Sequence, residues 1–244
     1  MPRFFLAPEE VRGETAVLRG EDARHIMGAL RMRSGDELTV CDGAGRDYPA
    51  EILPGADGRQ VPVRLGLPRP CRGEMPVEIA LYLALSKGEK MDFVVQKAVE
   101  LGVGRIVPVV TRYCVSRPDS AGCEKKRQRW QKIARQAAMQ SGRGRIPAID
   151  PVAPLDRALA ACQEEVRLFC YEQERGRTLR QALQGRRPGS VALLTGAEGG
   201  FSPEEAQAIT GAGFCAVSLG PRILRCETAP LCALSALSYE YEQL

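Results

Sequence analysis

A chain of 244 residues is longer than the usual single domain, so it holds one large domain or two modest ones, each able to bury a core. Hydrophobic residues at 44% and charged residues at 26% exclude a disordered chain, while a net charge of +4 is too small to prove a polyanionic partner. The longest apolar run, 77–85, contains Glu78 and is too short for a bilayer, and the start lacks the apolar stretch of a secretory signal. Within 1–70 the pattern is of short strands broken by turns: 37–41 alternates at period two, 42–45 is a turn, and 48–53 resumes the alternation. A second turn at Asp57-Gly58 precedes a strand over 60–67, and a helix is expected over 20–32 with Ile26, Leu30 and Met27 inward. Several close strands with one helix suggest a small β-barrel, and 68–73, rich in Pro and Arg, reads as a linker.

From residue 75 the texture changes. The run 77–85 has the composition of a strand buried on both faces, and Met91, Val94, Val95, Ala98 and Leu101 follow at helical spacing, with Gly102 as the stop. Strands are expected at 105–110, 166–171, 190–195 and 214–219, and helices at 125–140, 178–183, 203–209 and 227–241. This alternation predicts an α/β fold with a mostly parallel sheet covered on both faces. Nine cysteines without a Cys-x-x-Cys pair read as reduced, mostly buried thiols of a cytoplasmic protein. A single histidine, His25, excludes a His-rich metal site, and no metal is expected.

Three segments are suited to chemistry. In 193–203 an apolar strand runs into Gly196, Gly199 and Gly200, then Ser202 as N-cap and Pro203 at the first helical position. Glycines at such a turn let the backbone approach a ligand, and ligands of open parallel sheets sit outside the carboxyl ends of strands. The segment 219–230 repeats the plan, with Gly220 ending a strand, Pro230 in a first helical turn, and Arg225 and Glu227 beside whatever is bound. The stretch 124–145 carries eight Lys/Arg and one Glu, a local +7 that leaves the rest of the chain at −3. On a helix Lys125, Arg129, Lys132 and Gln136 share one face and Trp130, Ile133, Ala134 and Ala137 the other. With Arg143 and Arg145 following, that face suits a phosphate backbone as well as plain solvent.

Taken together, these segments resemble the RsmE-type RNA methyltransferases of the SPOUT superfamily. The likeness rests on HIMGALRMRSGD at 25–36, Asp42-Gly43, ALSKGEKM at 84–91, QKAVELG at 96–102, WQKIA at 130–134, QSGR at 140–143 and the two glycine loops, in that order across nearly the whole chain. The resemblance implies an N-terminal PUA-like RNA-binding β-barrel over 1–72 and a SPOUT methyltransferase domain with a deep trefoil knot over 73–244. It also implies S-adenosyl-L-methionine (SAM) as cofactor, a homodimer through the knotted domain, and N3-methylation of a uridine in 16S ribosomal RNA of the small subunit, position 1498 in RNA numbering. Carried over by position, Leu194, Thr195, Gly196, Glu198, Gly199 and Gly200 form one cofactor loop. Leu219, Gly220, Ile223, Leu224 and Arg225 form the other, with Thr228 and Ala229 at the helix start. The chain departs from the family at Ala197 and Ser86, where Pro is usual, at Cys226 (Thr) and at Met139 (Glu).

The imide N3 of uridine is a poor nucleophile while protonated, so the chemistry needs a base or a stabilised uridine anion. Arg225 is expected to stabilise the oxyanion, with Glu198 or Glu227 orienting it or accepting the proton. Arg31, Arg33, Lys87, Lys125, Arg129, Lys132, Arg143 and Arg145 are the expected RNA contacts. Two other readings stay open: a SPOUT enzyme acting elsewhere on RNA, such as a ribose 2′-hydroxyl, and a non-catalytic RNA-binding protein.

Overall fold

The computed structural model describes residues 1–7, 10–11 and 13–242. The chain separates into two compact units, Met1–Glu74 with Ala138–Ile146, and Met75–Ala137 with Pro147–Leu244. In the first unit, strands β1 (Arg3–Phe5), β2 (Thr15–Arg19), β3 (Glu37–Cys41), β4 (Arg46–Ile52), β5 (Gln60–Leu65) and β6 (Arg69–Pro70) form one curled sheet. Its order is β1-β3-β4-β5-β2 with β6 on β4, and only the β1–β3 pair is parallel. The period of two puts Leu18, Leu38, Val40, Ile52, Val61 and Val63 into one core, all fully buried. Between β3 and β4 the Asp42 carboxylate accepts the Ala44 and Arg46 N–H groups at 2.8 and 3.1 Å, the Asx-type turn that Asp42-Gly43 signals.

Two expectations for this unit need correction. The helix over 20–32 is a short α-helix, α1 (Gly20–Arg24), that widens over His25–Ala29 into a turn closed by Leu30 N–H on the His25 carbonyl at 2.9 Å. The widened turn shifts the register, so Ile26 stays buried but Leu30 is 38% exposed and Arg31 takes φ +53°. The expected linker at 68–73 contains β6, paired antiparallel with Arg46 and Asp47, and Cys71 N–H donates to the Gly45 carbonyl at 2.8 Å. Proline is tolerated there because β6 is an edge strand.

The second unit is a sheet of β7 (Glu78–Ala84), β8 (Arg105–Val110), β9 (Ala148–Ile149), β10 (Ala153–Pro154), β11 (Val166–Cys170), β12 (Ser190–Thr195) and β13 (Cys215–Val217). The order is β10-β8-β7-β12-β11-β13 with β9 on β8, and every pair is parallel. Helices α2 (Lys90–Glu100), α3 (Ser120–Ser141), α4 (Leu155–Ala161), α5 (Leu179–Leu183), α6 (Pro203–Gly211) and α7 (Thr228–Tyr241) connect and cover it. Ala80, Tyr82, Ala192 and Leu194 meet α4 and α6 on one face, while Leu81, Leu83, Val191 and Leu193 are buried on the other. Helix α7 packs on β12 and against α2. Gly102 ends α2 at φ +87°, as its position predicts.

The chain departs from the expected elements where they are short. Strands β1, β9 and β10, of two or three residues, are too brief to show a period. Helix α3 begins five residues before its predicted start, at Ser120, where the Asp119 carboxylate accepts the Gly122 N–H at 2.8 Å. All nine cysteines are free thiols, three buried, five half-buried and Cys232 exposed, so the expectation of mostly buried thiols holds only in part. Among the described residues no helix is long and apolar enough to cross a membrane.

Candidate active site

The site is built at the carboxyl ends of β11, β12 and β13. Strand β12 is the most buried of the sheet, with Val191 to Thr195 at zero or near-zero exposure, and its end is fixed between β7 and β11. The chain then folds back on itself. Gly200 N–H donates to the Ala197 carbonyl at 3.0 Å, and a Cβ on Gly196 would lie 3.1 Å from the Gly200 Cα. Gly200 has φ +66°, which favours glycine, and a Cβ there would lie 2.6 Å from a Glu172 carboxylate oxygen, so that side chain would have to move aside. Ser202 then closes a capping box, accepting Glu205 N–H at 3.2 Å while its own N–H donates to the Glu205 carboxylate at 3.0 Å.

The second loop leaves β13 through Ser218, whose hydroxyl accepts the Gly220 N–H at 3.2 Å, with Gly220 at φ +115°. It ends where the Arg225 carbonyl accepts the Thr228 and Ala229 N–H groups, both at 2.9 Å, and starts α7. The two loops wall one cavity of about 420 Å³. Of the expected cofactor residues, Gly196, Glu198, Gly199, Gly200, Leu219, Gly220, Ile223, Leu224, Arg225 and Ala229 line it. Three do not. Leu194 is packed in the core below the sheet end, Thr195 is fully buried, and the exposed Thr228 serves the helix start.

A third wall escapes the sequence reading: Cys170 ends β11, Tyr171, Glu172 and Arg175 follow it, and Tyr171 N–H donates to the Val217 carbonyl at 3.1 Å. The signal for it is the same as for the other two, the carboxyl end of a parallel strand, but its single glycine, Gly176, lies beyond the lining residues.

The two carboxylates expected to be catalytic meet through a residue that sequence reasoning missed. Lys90, at the start of α2, places its ammonium 3.4 Å from Glu198, 3.4 Å from Glu227 and 3.6 Å from the Cys226 sulfur. Burial pushes the Glu198 carboxyl up, but its own N–H, the Lys87 N–H at 3.1 Å and Lys90 outweigh it and hold the group below the usual carboxylate range. Glu227 is held low by its own N–H, the Cys226 thiol at 3.2 Å and Lys90. Burial, then the bond to Glu227, pushes the Cys226 thiol up to about 11, so it is protonated at neutral pH. Arg225 is exposed, and no hydrogen bond or ion pair engages its guanidinium among the described residues.

The expected RNA contacts divide. Lys125, Arg129, Lys132 and Gln136 are exposed along α3 while Trp130, Ala134 and Ala137 are buried, as helical spacing predicts. Arg129 and the Trp130 indole both donate to Asp92. Arg31 and Arg33 sit at the surface of the first unit. Lys87 is exposed and turns its backbone N–H to Glu198. Arg143 is a correction: its side chain is 4% exposed and donates to Glu74 at 2.6 Å, so it holds the first unit together and cannot reach a phosphate. Arg145 is exposed, with its N–H on the same Glu74 carboxylate at 3.0 Å. Among the described residues no cluster of His, Cys, Asp and Glu could hold a metal ion.

Residues 73–238 match the RNA methyltransferase domain family, and residues 18–59 the RNA methyltransferase PUA domain family. The chain is 31% identical to the ribosomal RNA small subunit methyltransferase E of Bacillus subtilis, covering 100% of this chain and 98% of that one. It is 34% identical to its namesake from Mycobacterium bovis, over 96% of this chain and 90% of the relative. Among solved structures, the small subunit methyltransferase E of Neisseria gonorrhoeae bound to S-adenosyl methionine is 34% identical, with a TM-score of 0.89 over 99% of this chain and 98% of that one. The chain belongs to the ribosomal RNA small subunit methyltransferase E family.

Proposed function

We propose that the chain transfers a methyl group from SAM to N3 of a uridine in 16S ribosomal RNA of the small subunit. One observation carries this reading: the loops after β12 and β13 enclose a single cavity, closed on its third side by the segment after β11. Its volume of about 420 Å³ is within the usual range for small-ligand sites. The residues fit the cofactor. Glycines at 196, 199 and 200 leave the backbone bare, Leu219 and Leu224 offer apolar walls for an adenine, and Glu172 and Arg175 offer an acceptor and a cation for the polar ends. Thr195 also keeps a buried hydroxyl with no partner among the described residues, at the root of the same loop. The N. gonorrhoeae relative, bound to S-adenosyl methionine, supports the same choice.

SAM supplies an electrophilic methyl group when bound. The chain's own residues align the acceptor and manage its proton. Arg225, at the cavity wall with its guanidinium unengaged, stabilises negative charge on the uracil oxygens as N3 loses its proton. Glu198 and Glu227 are held ionised and both contact Lys90, which suits them to fixing the loops rather than to acting as a base near neutral pH. The N3 proton passes to solvent, leaving a uracil anion that Arg225 stabilises until it takes the methyl group. The exposed cations of α3 grip phosphates around a base turned out of its stack, and Arg31 and Arg33 offer the first unit its own phosphate contacts. Self-association as a homodimer through a knotted second domain, in the cytoplasm, completes this reading on family grounds.

The test is to incubate isolated small subunits, and separately naked 16S RNA, with labelled SAM and to map the methyl group by mass spectrometry. N3-methyluridine is the expected product. A ribose methyl group would move the assignment to the 2′-hydroxyl, and no SAM binding by calorimetry would leave an RNA-binding protein that keeps only the fold.

A further inference from the structure

Lys90 stands at the first position of α2, where a cation meets the positive end of the helix dipole and is disfavoured. The helix start also lacks a side-chain cap, so nothing local accounts for a lysine there. Two distant carboxylates do. Glu198, 108 residues away on the loop after β12, and Glu227, at the end of the loop after β13, each lie 3.4 Å from the same ammonium. Without the lysine, two ionised carboxylates, Glu198 on the cavity wall and Glu227 just behind the lining at the end of the second loop, would repel each other. An ammonium suits the position because it is a compact charge with three donors, free to serve two acceptors and the nearby Cys226 sulfur together.

We propose that Lys90 is a positioning residue that ties the two cavity-forming loops to each other and to α2, so that cofactor affinity depends on its charge. The inference rests on the reading of the cavity as a SAM site, but the tie itself exists in the ligand-free protein. Lys90, Glu198 and Glu227 are each only partly exposed, with side chains at 36, 30 and 21%, so the bridge is sheltered without being sealed and added salt should weaken it. Glu198 is further anchored by the Lys87 N–H at 3.1 Å, so Lys90 draws the second loop toward an already fixed point. The Cys226 thiol, donating to Glu227 at 3.2 Å, keeps that carboxylate turned toward the ammonium.

The experiment compares the wild-type chain with Lys90→Met, which keeps length and loses charge, and Lys90→Arg, which keeps charge. Hydrogen exchange of the ligand-free proteins reads the tie directly. In Lys90→Met the amides of 196–200 and 222–227 should exchange faster together, while those of β7 and β12 stay unchanged; wild-type exchange in both loops would overturn the proposal. Calorimetric titration with SAM should show affinity falling about tenfold in Lys90→Met and within about threefold of wild type in Lys90→Arg. Rising salt should weaken wild-type binding more than that of Lys90→Met. Equal SAM affinity in all three chains would overturn the role of Lys90 in cofactor binding. A wild-type chain that binds no SAM would instead sink the methyltransferase reading and leave the exchange result to decide the tie.

Discussion

Arg225 is exposed at the cavity wall and its guanidinium is engaged by none of the described residues, so its removal disturbs no described side-chain contact. Arg225→Ala is therefore expected to bind SAM as wild type does by calorimetry while methylation of small subunits slows by about 10²–10³-fold. Gly200→Ala is expected to act the other way. Its Cβ strains a backbone at φ +66° and displaces the Glu172 carboxylate from the cavity wall, so SAM affinity falls and the unfolding free energy in denaturant melts drops by about 1–2 kcal/mol. At this scale the sequence shows what is local. Glycines before an N-cap mark a loop that must come close to a ligand, and ten of the thirteen residues that the family resemblance assigns to the cofactor line the cavity. Lys90, Glu172 and Arg175 carry no such mark, because their roles arise only when separated strands end side by side.

Helix α6 shows how an element is fixed by its first turn. Ser202, Pro203 and Glu205 together define its start, and Ser202→Ala should cost about 1 kcal/mol in a denaturant melt. Strands β7, β8 and β11 are held at their other end by a network. The Tyr82 hydroxyl donates to Glu164 at 3.0 Å, Cys162 donates to it at 3.0 Å, and Arg105 bridges Glu164 and Asp150. Burial raises the Glu164 carboxyl, but the Cys162 thiol, its own N–H and Arg105 outweigh it and hold it low. Its folded pKa is thus below its unfolded one, so the stability it contributes is present above the unfolded pKa and lost as pH falls through the folded one. Glu164→Gln should therefore lower stability by about 1–3 kcal/mol at neutral pH in denaturant melts, with the difference from wild type vanishing in acid. Along α3, replacing Lys125, Arg129 and Lys132 with Gln should weaken RNA binding and flatten its salt dependence, checked by filter binding over a salt series. Unaltered binding would return that face to solvent alone. Long buried strands were legible as unbroken apolar runs and long amphipathic helices by their repeating period, whereas the wide turn after α1 was not, since one extra residue in a turn leaves the composition unchanged.

For the molecule as a whole, alternation of strand and helix announces a parallel sheet, but the order of strands is set by packing that no single window contains. The chain runs from β7 to β8 and β10 on one side, then crosses to build β11, β12 and β13 on the other. That crossing brings three strand ends to one cavity although their loops are dozens of residues apart. The family resemblance supplied the pairing of those loops; spacing alone left their convergence open.

The return of Ala138–Ile146 to the first unit bears on how the protein can be dissected. Arg143 in that stretch donates to Glu74, Gly144 and Arg145 turn their N–H groups to the same carboxylate, and Arg3 reaches the Arg143 carbonyl at 3.2 Å. A fragment cut after residue 72 loses Glu74 and the returning stretch at once, exposing a seam where Arg3 donates to Asp47 at 2.6 Å and to the Cys41 and Cys71 sulfurs. Genetic separation of the first unit would thus demand a spliced chain that joins 138–146 to the end of 1–74, rather than a simple truncation.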